Sequence, residues 1–206
     1  MTKSNINDTI KQEKSLILIE FLKNTPFEGW SERNLANACA TNGFDPNYAK
    51  LLFPSGLKDL NSYFNDSLND QMTEIFLKEK LELKISEKIA HLLEIRFSLY
   101  QPIKESIRCL FQYNLMPQHF LEAQNSVWKT CDQIWYLAGD KSTDFNYYSK
   151  RALLETVYSS SLLYYLSDES ENFIDTKAFI RRRIQSVLKI GKWKAIGKNF
   201  FNNLFK

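Results

Sequence analysis

Hydrophobic residues along this chain of 206 residues recur at intervals of three and four, and no stretch alternates in the period-two manner of a strand. The intervals predict four short helices at the start. The first runs from Ile10 to Leu22 and stops at Asn24-Thr25-Pro26. The second, Glu32 to Ala40, is opened by Ser31 and stopped by Asn42-Gly43. Asp45-Pro46 opens a third that ends in Phe53-Pro54-Ser55-Gly56, and Leu57 to Met72 forms the fourth. Longer helices follow: Glu74 to Tyr100, Ile103 to Leu115 beyond Pro102, and Gln118 to Leu137 beyond Pro117 with Gly139 as its cap. Phe145 to Leu166 starts behind Asp144, and Lys177 to Ile190 behind Asp175 or Thr176. The fold class is all-α. The pattern divides the chain into an N-terminal part, 1–72, a larger helical part, 73–190, and a terminal amphipathic helix, 191–206.

Charge changes the picture of that terminal helix. The whole chain has 27 basic and 24 acidic residues, a net of +3, but residues 176–206 hold nine of the Lys and Arg and no acid. Steps of about 100° per residue put Trp193, Ile196, Phe200, Phe201, Leu204 and Phe205 on one side of a helix. Lys198 lies opposite them, and Lys194 lies near the border, where its stem can snorkel. Aromatics on one face and Lys on the other mark a helix lying in a bilayer interface, too short and too charged to span. Each Lys near an anionic surface contributes roughly 1 kcal/mol, and ordering the backbone offsets much of the apolar gain. Binding at a membrane surface is therefore expected to be reversible and salt-sensitive. A terminal helix docked on its own chain, or on a partner, has the same pattern.

The remaining composition mostly excludes. Residues 1–14 show neither an apolar signal core nor an Arg-rich presequence, so the expected location is cytoplasmic, peripheral on the inner membrane of a bacterium. Cys39, Cys109 and Cys131 are isolated and read as buried thiols, without zinc-ligand spacing. His91 and His119 stand apart from any nucleophile or carboxylate pattern. No glycine-rich phosphate loop, zincin motif or nucleophile elbow occurs. The expectation is a protein that is not an enzyme and has no cofactor or metal.

Helix, short helix, turn, short helix and a longer fourth helix is the order of a TetR-type DNA-binding part. A reading helix needs polar and basic side chains at base edges and phosphates, yet Pro46 to Leu52 offers only Asn47 and Lys50. Residues 1–70 carry seven basic and nine acidic side chains, so phosphate should repel them and no nucleic acid is expected. A ligand-responsive TetR-type transcriptional regulator stands as the alternative function.

Two later helices carry candidate sites. In Gln118 to Leu137, Trp128 and Trp135 lie seven apart and share a side with Asp132 and Leu121. A charge between aromatic anchors suits a partner-docking face, although a core stripe remains open. Phe145 to Leu166 is apolar on nearly every side, with Ser159, Ser160 and Ser161 between, and should be central. Tyr158, Ser161, Leu162 and Tyr165, with Leu110 and Phe111, either line an apolar pocket or pack on one another.

The block from Trp135 to Arg151 reads W-Y-L-A-G-D-K-S-T-D-F-N-Y-Y-S-K-R. It resembles a segment of the ninth Coq-series accessory proteins of ubiquinone biosynthesis. The resemblance extends to Val157-Tyr158-Ser159-Ser160-Ser161-Leu162-Leu163, Asp168-Glu169-Ser170, Asp175-Thr176 and Ala178-Phe179. Upstream it takes in Trp30, Gly43 and Leu52-Phe53-Pro54-Ser55-Gly56, while Met72 to Leu115 departs most from the family pattern. It implies a homodimeric TetR-like fold that has abandoned DNA, holds an isoprenoid quinone precursor or other apolar lipid, and uses a terminal helix on membranes. It further implies a di-iron demethoxyubiquinone hydroxylase as partner, with Asp132 and Trp135 in the partner patch. Gly139, Asp140, Asp144, Lys150 and Arg151 are expected to be structural, as caps and ion pairs.

Overall fold

The computed structural model describes residues 3–143 and 145–187. Asp144 and the terminal segment with Trp193, Lys194, Ile196, Lys198, Phe200, Phe201, Leu204 and Phe205 lie outside the described residues. Within them the chain is helical, without a strand. The helices are α1 (Lys3–Glu28), α2 (Glu32–Thr41), α3 (Tyr48–Leu52), α4 (Leu57–Glu79), α5 (Ile85–Tyr100), α6 (Lys104–Asn114), α7 (Pro117–Ala138) and α8 (Phe145–Ser167). A ninth, α9, covers 174–187. Short 3₁₀ turns at Gln101–Ile103 and Glu171–Phe173 lead into α6 and α9.

The described residues form two compact units: those within 1–71 together with 99–126, and 72–98 together with those within 127–187. A line drawn once at residue 72 does not separate them, because α6 and the first part of α7 pack with the N-terminal helices.

In the first unit, α1 runs through Pro26 rather than stopping before it. Proline has no N–H to give the carbonyl four residues back, and that carbonyl, Leu22 O, instead accepts the Ser106 hydroxyl at 2.6 Å. Thr25 returns its hydroxyl to Phe21 O at 2.7 Å. The buried Asn34 amide donates to Phe21 O, Thr25 Oγ1 and Gly29 O at 3.0–3.1 Å. Cys109 Sγ reaches Thr25 O at 3.6 Å. A partner from α6 therefore lets the helix continue where local sequence alone predicts an end. Ile17, Leu18, Phe21 and Leu22 face the core with Trp30, whose ring meets Phe21 edge-on at 4.8 Å, whereas Leu16 and Ile19 remain exposed.

Ser31 caps α2 as predicted, accepting from Asn34 N at 3.2 Å. The third helix begins two residues later than Asp45-Pro46 suggests, because Asp45 Oδ1 accepts from Asn47 N at 2.7 Å and holds a turn there. At the start of α4, Leu57 N donates to Glu32 Oε1 at 3.0 Å. Gly56, at φ +60°, has that carboxylate where a Cβ would stand.

In the second unit, the expected helix from Glu74 to Tyr100 is broken between Glu79 and Ile85. Lys80 takes a left-handed conformation, φ +47°. Glu79 bonds the His91 ring, and Glu87 accepts from Lys84 N at 3.0 Å, the reach-back half of a capping box. These acids terminate the two helices from outside the apolar pattern, which runs on unbroken. Leu92, Leu93, Phe97, Ile134, Tyr165 and Ile180 are at most 1% exposed and form the core.

α8 is less central than its composition suggests. Leu154, Val157, Tyr158, Ser161, Tyr165 and Leu166 are buried, but Leu163 is exposed and Leu153, Leu162 and Tyr164 are only half-buried. At its end, Asp168 accepts from Ser170 N and Thr176 N, both at 2.8 Å, and from Thr176 Oγ1 at 2.5 Å. This caps α9, which starts three residues before Lys177. Burial opposes charge on Asp168, but those hydrogen bonds hold its carboxyl at about 2.

Candidate functional site

The second unit brings the end of α7 against the start of α8. Gly139, at φ +91°, ends α7 in a Schellman turn: Gly139 N donates to Tyr136 O and Asp140 N to Trp135 O, both at 3.0 Å. The reversal aims Asp140 back at α8. There Tyr147, Lys150 and Arg151 occupy one face through their three- and four-residue spacing.

Arg151 is 4% exposed and lies between two carboxylates. Its Nε donates to Asp132 Oδ1 at 2.5 Å and its Nη1 to Asp140 Oδ2 at 3.3 Å and to Tyr147 O at 3.1 Å. The guanidinium lies 3.3 Å from the centre of the Tyr147 ring. Tyr147 donates its hydroxyl to Asp132 Oδ1 at 2.8 Å, a bond that raises the pKa of the phenol. Asp140 Oδ1 accepts from Lys150 Nζ at 2.7 Å and Oδ2 from Ser142 Oγ at 2.6 Å. Burial alone would raise the Asp140 pKa; the bonds from Lys150 and Ser142 and the Lys150 charge win and hold it at about 2.

Aromatic rings surround this cluster. Trp135 donates its indole N–H to Lys150 O at 3.1 Å and carries the Lys150 ammonium 5.3 Å from its ring. Trp128 stacks on Tyr148 at 6.3 Å, and Tyr148 meets Tyr147 edge-on at 5.1 Å. Asp132 keeps 44% of its side chain exposed, while Tyr136 and Tyr148 are 72% and 62% exposed. The product is a ridge of rings around one half-open carboxylate, held by ion pairs. Both Asp132 and Asp140 are engaged by cations and hydroxyls, an arrangement that fixes the turn between α7 and α8.

Of the expected partner residues, Trp128, Asp132 and Trp135 come together here. Leu121 lies on the same helix but in the first unit, 74% exposed. The expected pairing of Asp140 with Lys150 and Arg151 is present. Sequence reasoning missed Tyr147 and Tyr148; the signal was the shared face of Tyr147, Lys150 and Arg151 on α8.

Tyr158, Ser161 and Tyr165 are buried and Leu162 is half-buried. The rings of Tyr158 and Tyr165 pack on Phe97 at 5.8 and 5.3 Å. Ser160 returns its hydroxyl to Thr156 O at 2.8 Å, whereas the buried Ser161 Oγ has no hydrogen-bond partner among the described residues. Leu110 and Phe111 are half-buried and belong to the first unit. His119 stacks on Tyr113 at 3.9 Å. Cys39 and Cys131 are buried, which pushes both thiols up. Among the described residues no group of three or more His, Cys, Asp or Glu could hold a metal ion, and no helix is long and apolar enough to cross a membrane.

The family model described as COQ9 matches residues 120–191, a range that contains the whole α7–α8 cluster. The ubiquinone biosynthesis protein coq9, mitochondrial, of Schizosaccharomyces pombe is 33% identical over 187 residues, covering 85% of this chain and 70% of that protein. The chain belongs to the COQ9 family. A mitochondrial coq9 protein of Dictyostelium discoideum is 31% identical over 188 residues, and human COQ9 is 25% identical over 189. This chain spans 61% and 59% of their lengths, with 88% of itself covered in each case. A crystal structure of a TetR transcriptional regulator from Nitrosomonas europaea superposes with a TM-score of 0.66 at 19% identity, covering 84% of this chain and 96% of that one. That likeness establishes the TetR-like fold. The COQ9 relatives are mitochondrial proteins of eukaryotes, which overturns the expectation of a cytoplasmic chain peripheral on a bacterial inner membrane. That expectation rested on the polar character of residues 1–14 and on isolated cysteines read as reduced thiols.

Proposed function

We propose that this chain is a non-enzymatic accessory protein of ubiquinone biosynthesis. In this reading it holds an isoprenoid quinone precursor at a membrane surface and presents it to a di-iron hydroxylase. The carrying observation is COQ9 membership centred on the α7–α8 cluster, where Trp128, Asp132 and Trp135 combine ring surface with a half-open carboxylate. Such a combination is typical of protein-docking centres, where a few aromatic anchors dominate the energy. A lipid cargo is supported by the apolar length of α8 and by Ser161, a buried hydroxyl beside Leu162 that has no partner among the described residues. Carriage has a physical rationale, since a long isoprenoid in water costs about 0.8 kcal/mol for every exposed CH₂. The basic, aromatic segment from Trp193 onward supplies the membrane contact.

Two measurements test this. Organic extraction of the purified full chain should release an isoprenoid or another apolar lipid; an empty extract removes the cargo. Trp135→Ala should reduce hydroxylase co-purification about tenfold or more, as loss of a central anchor of about 2 kcal/mol would. Unchanged co-purification with retained helicity removes the docking face. Sequence-specific, tight binding to duplex DNA would instead favour a TetR-type regulator, against which the excess of acids in residues 1–70 stands.

A further inference from the structure

The described part of α9 already carries a cationic surface of its own, ahead of the terminal segment. Thr176, Ile180 and Ile184 are buried at spacings of four and point α9 inward. Arg181, Arg182 and Arg183 stand exposed. Arg181 is engaged, its Nε and Nη2 donating to the two Glu94 carboxylate oxygens at 2.8 and 3.3 Å. Arg182 and Arg183 instead flank a ring: their guanidinium carbons lie 6.0 and 5.7 Å from the centre of Phe179, which stacks on Tyr164 at 4.6 Å with the planes 9° apart. Ile174, at the first turn of the same helix, is 63% exposed.

We infer that Arg182 and Arg183, held over the Phe179–Tyr164 stack, form a binding surface for the phosphodiester headgroups of an anionic bilayer. The inference rests on the membrane reading proposed above and gives it a second, independent contact. A guanidinium laid against an aromatic face loses part of its rotational freedom while keeping N–H donors for phosphate, and its planar fork matches two phosphate oxygens at once. Aromatic bodies with cations at their edge also suit the headgroup level of a bilayer. Charge complementarity selects an anionic occupant, because residues 176–187 of α9 contain no Asp or Glu and the Glu94 carboxylate is taken by Arg181, which leaves Arg182 and Arg183 as exposed cations over the ring stack. A second copy of this chain is disfavoured on the same patch, where a two-fold axis would set like charges against each other.

The test compares co-flotation of the full chain with phosphatidylcholine vesicles, with and without added phosphatidylglycerol. Arg182→Gln/Arg183→Gln should bind the anionic vesicles roughly 25-fold more weakly, at about fivefold per basic residue, and bind the neutral vesicles as the unaltered chain does. Lys23→Gln/Lys78→Gln removes the same charge from two side chains that are 72% and 73% exposed elsewhere, and should lose less than about threefold, the long-range share alone. Equal losses in the two double variants, or no loss in the arginine pair, would overturn the headgroup surface while leaving anchoring by the terminal segment intact. Failure of the unaltered chain to bind anionic vesicles at all would remove the membrane reading and this inference together. Unchanged flotation with weakened binding to duplex DNA would reassign the two arginines to nucleic acid. Circular dichroism of each variant confirms that helicity is kept; both arginines are exposed, so it should be.

Discussion

The polar knot around Pro26 and the cluster around Arg151 both tie helices together, and they do so with opposite chemistry. Asn34, Thr25 and Ser106 join α1, α2 and α6 through neutral donors and carbonyls, each of these three residues at most 2% exposed. Arg151, Asp132, Asp140 and Lys150 join α7 to α8 through full charges, with Asp132 and Lys150 half open to water. Neutral bonds in a dry place gain little from water or salt and act only as closure. Charges at the water boundary keep unsatisfied capacity and a field that a partner can feel. The contrast teaches that the two seams answer differently to salt and pH, and only the charged one leaves a half-open carboxylate at the surface, the feature on which the proposed docking face relies.

Breaking the charged seam should have the largest effect. Arg151→Leu leaves Asp140, whose side chain is 4% exposed, with Lys150 as its one remaining cation, and leaves Asp132 with only the Tyr147 hydroxyl. Removing one member of a buried ion pair costs about 3–5 kcal/mol. The cost should appear as a lower urea midpoint and be partly recovered in the double variant with Asp140→Asn. In the neutral knot, Asn34→Ala leaves Phe21 O and Gly29 O short of a donor, a loss of about 2 kcal/mol. That loss should not change with salt, whereas the effect of Arg151→Leu should.

Acid separates the seams next. The Asp140 carboxyl, at about 2 in the folded chain, lies below its ordinary value of about 3.9. Its contribution is therefore present above pH ~4 and is lost as pH falls from ~4 to ~2, with an upper bound of about 2–3 kcal/mol. Denaturation curves across that window should show a smaller loss in Asp140→Asn, while Asn34→Ala retains the slope of the unaltered chain. The remaining slope belongs partly to Asp168, held low by its own cap bonds. Smallest of all, Tyr147→Phe removes one hydrogen bond to the half-exposed Asp132 and should cost about 1 kcal/mol or less by the same curves.

Much of this was legible before any coordinates. Gly139 announced the cap that ends α7, Ser31 the cap that opens α2, and the helical spacing the fold class. What stayed hidden were partners distant in sequence. Pro26 reads as a helix end because nothing local reveals that Ser106, 80 residues on, will take the orphaned carbonyl. The break at Lys80 is invisible because apolar positions continue through it, and the acids that end the helices look like ordinary surface charge. Asp132 reads as an isolated charge between two tryptophans until α8 folds back and Arg151 meets it. The lipid side is the least legible: one apolar helix serves equally as packing and as a cavity wall, and only the position of Ser161 gives it an asymmetry.

The break between Glu79 and Ile85 offers a practical opening. Its flanks are finished independently, one by the Glu79 bond to His91 and the other by Glu87 on Lys84 N, and Lys80, Leu81, Glu82 and Lys84 all face water. A short epitope or fluorophore-acceptor peptide spliced between Leu81 and Glu82 would leave both ends closed, making this bend a natural port for labelling the protein while it works.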